Sequence, residues 1–112
     1  STTYSSNIRL YEREIRDVEF ELTNDDGTPL DLTGAVVGFK IGNKSTTIIT
    51  YAIGSGLEYQ DADPTTGIIV ATIDLDTPDP TAGTYQWELR IELDGEVKTL
   101  ESGQVRIVGS QF

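Results

Sequence analysis

Between Tyr85 and Leu93 apolar and polar residues alternate without a break. Tyr85, Trp87, Leu89, Ile91 and Leu93 fall on one side, and Gln86, Glu88, Arg90 and Glu92 on the other. A period of two is the signature of a half-buried strand, because successive side chains of extended backbone point to opposite faces. Asp94-Gly95 follows at once. That dipeptide supplies the positive-φ pair of a tight hairpin, so the return strand starts at Glu96. Gly103 interrupts the return strand and predicts a bulge that re-phases the alternation before Val105 and Ile107.

The same period recurs upstream. Val18, Phe20 and Leu22 alternate with Asp17, Glu19 and Glu21. Asp25-Asp26-Gly27-Thr28-Pro29 then predicts a turn, with Gly27 at the positive-φ position and Pro29 fixing φ after it. Val37, Phe39 and Ile41 form the inner face of a further strand. The β-branched run from Thr46 to Ile53 predicts another, broken by Gly54, Ser55 and Gly56. Leu57 and Tyr59 make a short extended piece. The stretch from Gly67 to Leu75 is apolar on both faces at its start, which predicts a central or covered strand. No segment carries a 3.6-residue apolar stripe of helical length.

About seven strands with turns at short intervals, in 112 residues, predict a single all-β domain. The expected architecture is an immunoglobulin-like antiparallel β-sandwich, with a small barrel as the other solution. Its core would hold Val18, Phe20, Leu22, Val37, Phe39, Ile41, Ile73, Trp87, Leu89 and Ile91. The domain proper would span residues 15–112, and residues 1–14 would be an N-terminal arm or an edge strand.

The chain has neither cysteine nor histidine. This excludes zinc fingers, haem and iron–sulfur sites, catalytic triads and thiol redox pairs built on those side chains. A net charge of -11 should repel phosphate backbones, so nucleic acid is not an expected partner. No apolar run approaches the roughly 18 residues of a membrane span, and no charged-then-apolar leader is seen.

Four constellations could carry chemistry. Asp61, Asp63, Asp74, Asp76 and Asp79 offer the oxygen ligands that calcium takes, but without the spacing or closing bidentate Glu of a helix-loop-helix calcium site. They read first as turn-setting aspartates. Glu88 and Glu92 could form a glycosidase pair, although no insertion builds a cleft around them. Trp87 is either core or a platform for stacking sugars. Tyr85, after Gly83 and Thr84, fits a tyrosine corner whose hydroxyl bonds back to upstream backbone, with Thr81 where an acidic residue is usual. No catalytic residue, cofactor or metal site is expected, and the protein is not read as an enzyme. The segment from Ser1 to Leu10 has one charge, Arg9, and the apolar side chains Tyr4, Ile8 and Leu10, with Tyr11 next in line. These four are the candidate partner-docking residues, on the reasoning that an arm can add to a neighbour's sheet edge.

Three phrases carry a resemblance. They are D-D-G-T-P-L-D-L-T-G-A-V-V-G-F-K-I from Asp25, G-L-E-Y-Q-D-A-D-P-T-T-G-I-I-V-A-T-I from Gly56, and P-T-A-G-T-Y-Q-W-E-L-R-I-E-L-D-G-E-V-K-T-L-E-S-G-Q-V-R-I from Pro80. Their order and spacing resemble a β-sandwich of tailed bacteriophages, the N-terminal domain of phage baseplate upper proteins and related small virion proteins. Baseplate upper proteins continue into a long helical or receptor-binding part, whereas this sequence stops at Phe112. Read as complete, it resembles a stand-alone sandwich fixed to the virion, as a capsid decoration or cement protein or a tail, baseplate or neck accessory. The resemblance implies a non-enzymatic role, location in the virion, and docking on other virion proteins, with a homo-oligomer in the particle as one form. The other reading kept open is a carbohydrate-binding or adhesion module for a host surface.

Overall fold

The computed structural model describes residues 7–76 and 80–109, and the backbone alone of residues 98–100. Eight strands follow along the chain: β1 (Asn7–Tyr11), β2 (Ile15–Glu21), β3 (Val36–Gly42), β4 (Thr47–Ile53), β5 (Gly56–Tyr59), β6 (Ile68–Asp74), β7 (Gly83–Leu93) and β8 (Glu96–Val108). Two single turns of 3₁₀ helix, Gln60–Ala62 and Pro64–Thr66, link β5 to β6.

Hydrogen bonding runs in the order β1-β8-β7-β3-β4-β5-β6-β2. β4 and β5 share only two residue pairs, Ala52 with Gly56 and Ile53 with Leu57, and there the sheet creases. Phe20 on β2 shows that it folds over. β2 and β7 are far apart in the strand order, yet the Phe20 ring lies 5.2 Å from Trp87 and 5.5 Å from Phe39. β1, β8, β7, β3 and β4 therefore form one layer, and β5, β6 and β2 the other.

The period-two residues meet between these layers. All ten expected core residues are buried, and the described residues bury no polar or charged side chain. Full burial of each large apolar side chain contributes about 1.5–3 kcal/mol, so with no disulfide this interior supplies the stability. Asp94 (φ 55°) and Gly95 (φ 80°) adopt the mirror-image turn that their sequence specifies. β6, apolar on both faces, is central in its layer, between β5 and β2.

Two expectations are corrected. The extra residue of β8 is not at Gly103, which pairs in register with Trp87. The register shifts where Ile91 faces Thr99 but Glu92 faces Val97, leaving residue 98 as the insertion. The second correction concerns Ile8 and Leu10, which belong to the chain's own core. β1 pairs in parallel with β8, Asn7 opposite Gln104 through Tyr11 opposite Val108. Its alternation turns Ile8 and Leu10 inward, so residues 7–11 are an edge strand of their own sheet.

Candidate docking surfaces

The structure divides the four candidate docking residues. Ile8 and Leu10 face inward and have nothing to offer a partner. Tyr11 is 47% exposed, with the Arg9 guanidinium 5.8 Å above its ring. Tyr4 lies outside the described residues. The outward edge of β1 is also partly closed. Arg16 Nη1 donates to the Arg9 carbonyl at 2.9 Å, and the Tyr11 N–H donates to Glu14 Oε1 at 2.9 Å. Arg16 Nη2 and Glu14 Oε2 pair at 2.7 Å. This clamp occupies backbone groups that an incoming strand would need, which is how native edges avoid unwanted pairing.

The aspartates do not converge. Asp61 and Asp63 precede β6 and Asp74 ends it, so seven residues of strand separate them by about 20 Å. Asp76 pairs with Arg13 at 3.0 Å, and Asp79 lies outside the described residues. Among the described residues no group of three or more acidic side chains is placed to hold a metal ion. Asp63 sets a turn instead. Its Oδ1 accepts from the Thr65 N–H at 2.9 Å and the Thr65 hydroxyl at 2.6 Å. Asp26 does the same with Thr28 at 3.0 and 2.6 Å, and Asp31 with Thr33 at 3.0 and 2.6 Å. The signal was legible as a repeated D-x-T spacing, the sequence form of a side-chain-closed turn. In each case the threonine hydroxyl, and then its backbone N–H, holds the carboxyl below the ordinary value of 3.8. Asp31 raises Asp63 slightly in return, because their loops touch where the Leu32 N–H donates to the Pro64 carbonyl at 2.9 Å.

Trp87 is 2% exposed, which overturns the sugar-platform reading. Its indole belongs to the ring cluster with Phe20 and Phe39 because it sits on the inward side of an unbroken alternation. Tyr85 makes the expected corner, its hydroxyl donating to the Thr81 carbonyl at 2.6 Å. Glu88 and Glu92 are four residues apart on one extended strand, about 13 Å, beyond the roughly 5–9.5 Å at which paired carboxylates hydrolyse glycosides. Glu92 faces Arg90 at 3.6 Å instead.

No sequence signal pointed to the relief on the outer face of the five-stranded layer. Two open depressions lie along β3 on either side of Lys40. One, of about 300 Å3, lies over Gly42 and is lined by Asn43, Lys44, Gln86 and Glu88 among others. The other, of about 190 Å3, lies over Gly38 and is lined by Val36, Thr50, Arg90 and Glu92 among others.

No family model matches the sequence, and no curated protein matches it. Solved structures do match. CopC from Methylosinus trichosporium OB3b superposes with a TM-score of 0.56 at 11% identity, over 100% of this chain and 93% of CopC. The fold is immunoglobulin-like. AggA, the major subunit of aggregative adherence fimbriae type I from Escherichia coli, aligns with a TM-score of 0.44 at 12% identity, over 98% of this chain and 93% of AggA. At such identities the likeness concerns the fold alone.

Proposed function

We propose that the chain is a non-enzymatic structural protein of a tailed-bacteriophage particle, a capsid decoration or cement protein or a tail, baseplate or neck accessory. It works by docking on other virion proteins. The observation that carries this reading is where the polar chemistry lies. The described residues bury no polar or charged side chain; Asp26, Asp31 and Asp63 close turns, Asp76 and Glu92 sit in ion pairs with Arg13 and Arg90, and Glu88 stands about 13 Å from Glu92 along an open strand. Catalysis draws on titratable groups held in dry, preorganised settings, whereas association needs only edges and faces. The three phrases that resemble the phage domain fall on β3, on β5 with β6, and on β7 with β8, together with the turns before them. They support a shared scaffold, onto which different docking surfaces can be built.

The test is mass spectrometry of tailed particles purified from a lysate of the source host. The protein should be present at a fixed stoichiometry to the major head or tail protein and should survive a high-salt wash. Its absence from intact particles refutes the reading.

A further inference from the structure

Three of the five arginines have a carboxylate partner. Arg13 pairs with Asp76 at 3.0 Å, Arg16 with Glu14 at 2.7 Å and Arg90 with Glu92 at 3.6 Å. Arg9 and Arg106 have none among the described residues, in a chain with 19 acidic side chains. These two are register partners on β1 and β8. Both point outward, because the residues flanking them, Ile8 and Leu10, Val105 and Ile107, are buried. Neighbouring strands lie about 4.8 Å apart, so two positive side chains spring from adjacent backbone, and like charges directly opposite each other destabilise a strand pair. The Tyr11 ring, 5.8 Å from the Arg9 guanidinium, attracts that charge without neutralising it.

The pair opens onto a depression of about 240 Å3, lined by Asn7, Ile8, Arg9, Gln104 and Arg106, with no carboxylate among them. Asn7 and Gln104 are also register partners, one outward level and about 7 Å along the strands from the arginines. A guanidinium carries only donors, in a fork that matches an oxyanion. A side-chain amide carries donors and an acceptor, which together suit a hydroxyl group. The lining therefore supplies charge at one level and hydroxyl recognition at the next. The chain's acidity lies elsewhere. The outward positions of β2, β5 and β6, in the other layer, hold Asp17, Glu19, Glu21 and Glu58 and no lysine or arginine, and the whole sandwich stands between them and the pair.

We propose that Arg9, Arg106, Asn7 and Gln104 form a binding site for an anionic sugar, with its oxyanion between the two guanidinium groups and its hydroxyls on the two amides. A carboxylate from an acidic protein segment would use the arginines and leave the amides idle, whereas a sugar that carries an oxyanion uses both. The carboxylate of a uronate and the phosphate of a sugar phosphate present the same chemistry to the site. The bound anion would remove the repulsion between the arginines, each bond to it being charge-assisted. This site is independent of the particle in which the chain works.

Amide NMR on the full chain tests it, by titration with glucuronate, glucose 6-phosphate, acetate and inorganic phosphate. Glucuronate or glucose 6-phosphate should shift the amides of Asn7–Tyr11 and Gln104–Val108 with a Kd of about 1 mM. The tighter of the two identifies the oxyanion. Each sugar that binds should do so about five-fold more tightly than its bare anion, the worth of about one net hydrogen bond. Binding should weaken between about 0.05 M and about 0.5 M salt, because salt screens the attraction. Arg9→Gln and Arg106→Gln should each weaken it about ten-fold or more and melt no lower than the parent chain, since each removes one of two repelling charges. Arg90→Gln, which loses an arginine already paired with Glu92, should bind like the parent. The proposal is overturned if neither sugar moves these amides, or if a folded Arg106→Gln chain binds as the parent does. Bare anions that bind as tightly as the sugars also overturn it, and leave the pair to an acidic protein.

Discussion

Replacing Gly56 with alanine should cost far more than the same change two residues earlier at Gly54. Both glycines have left-handed backbone, with φ of 94° and 87°. An alanine there costs about 1–2 kcal/mol for the Cβ alone. At Gly54 the Cβ enters open space, so the cost stops there. At Gly56 the Cβ runs into the Tyr51 ring, which must move. That ring stacks on Phe39 at 6.2 Å, and its hydroxyl accepts from the Asp74 N–H at 3.1 Å. Losing the stack costs about 0.5–1.5 kcal/mol and losing the hydrogen bond about 1 kcal/mol. The expected loss is about 3–4 kcal/mol for Gly56→Ala and about 1–2 kcal/mol for Gly54→Ala. Urea titrations can follow the fluorescence of Trp87, the only tryptophan, whose ring is 6.3 Å from Phe39. In a Tyr51→Ala background the extra cost of Gly56→Ala should disappear, leaving the backbone share. Equal losses at the two glycines, or an undiminished loss without Tyr51, would show that the ring does not depend on a bare Gly56.

Other outcomes follow from the same contacts. Trp87→Ala should destabilise by about 3–5 kcal/mol, since it empties a site between Phe20 and Phe39; a change within error in a chemical melt would contradict its burial. Tyr85→Phe should cost about 0.5–1.5 kcal/mol by removing the hydroxyl that bonds to Thr81, and an unchanged melting temperature would count against the corner. Asp26, Asp31 and Asp63 have folded pKa values below 3.8, so the stability they give is present above that value and is lost as pH falls through the lowered folded values. Changing Thr28, Thr33 and Thr65 together to valine should flatten the acid limb of the stability curve, and curves that stay parallel to the parent's would mean that the turns contribute nothing there.

Much of this fold was legible because its signals are local. The Asp94-Gly95 turn and the alternation from Tyr85 are written in consecutive residues, and so are the inward positions of β2 and β3. What escaped depends on residues far apart in sequence. Nothing near Ile8 indicates that its partner is Val105, so a short stretch with one charge reads equally as arm or strand. The glycine of β8 suggests an insertion at residue 103, but pairing with β7 places it at residue 98, next to the hairpin. The relief on the outer face of the five-stranded layer was the least legible feature. Gly38 looks like any strand glycine until its missing Cβ is found to face empty space, while Gly56 owes its identity to a tyrosine packed against it.

The parallel pairing of β1 with β8 decides how the molecule would bear a load. The chain enters β1 at Asn7 and leaves β8 at Val108, and the two strands run the same way. Tension applied through the two ends of the chain pulls these strands past each other along their length. The hydrogen bonds joining Asn7–Tyr11 to Gln104–Val108 would then strain together in shear. In an antiparallel hairpin pulled open from its ends, such bonds break singly and in succession. Under force the sandwich would be gripped by its smallest edge strand, and Ile8 and Leu10, anchored in the core, would act as the pegs that resist sliding.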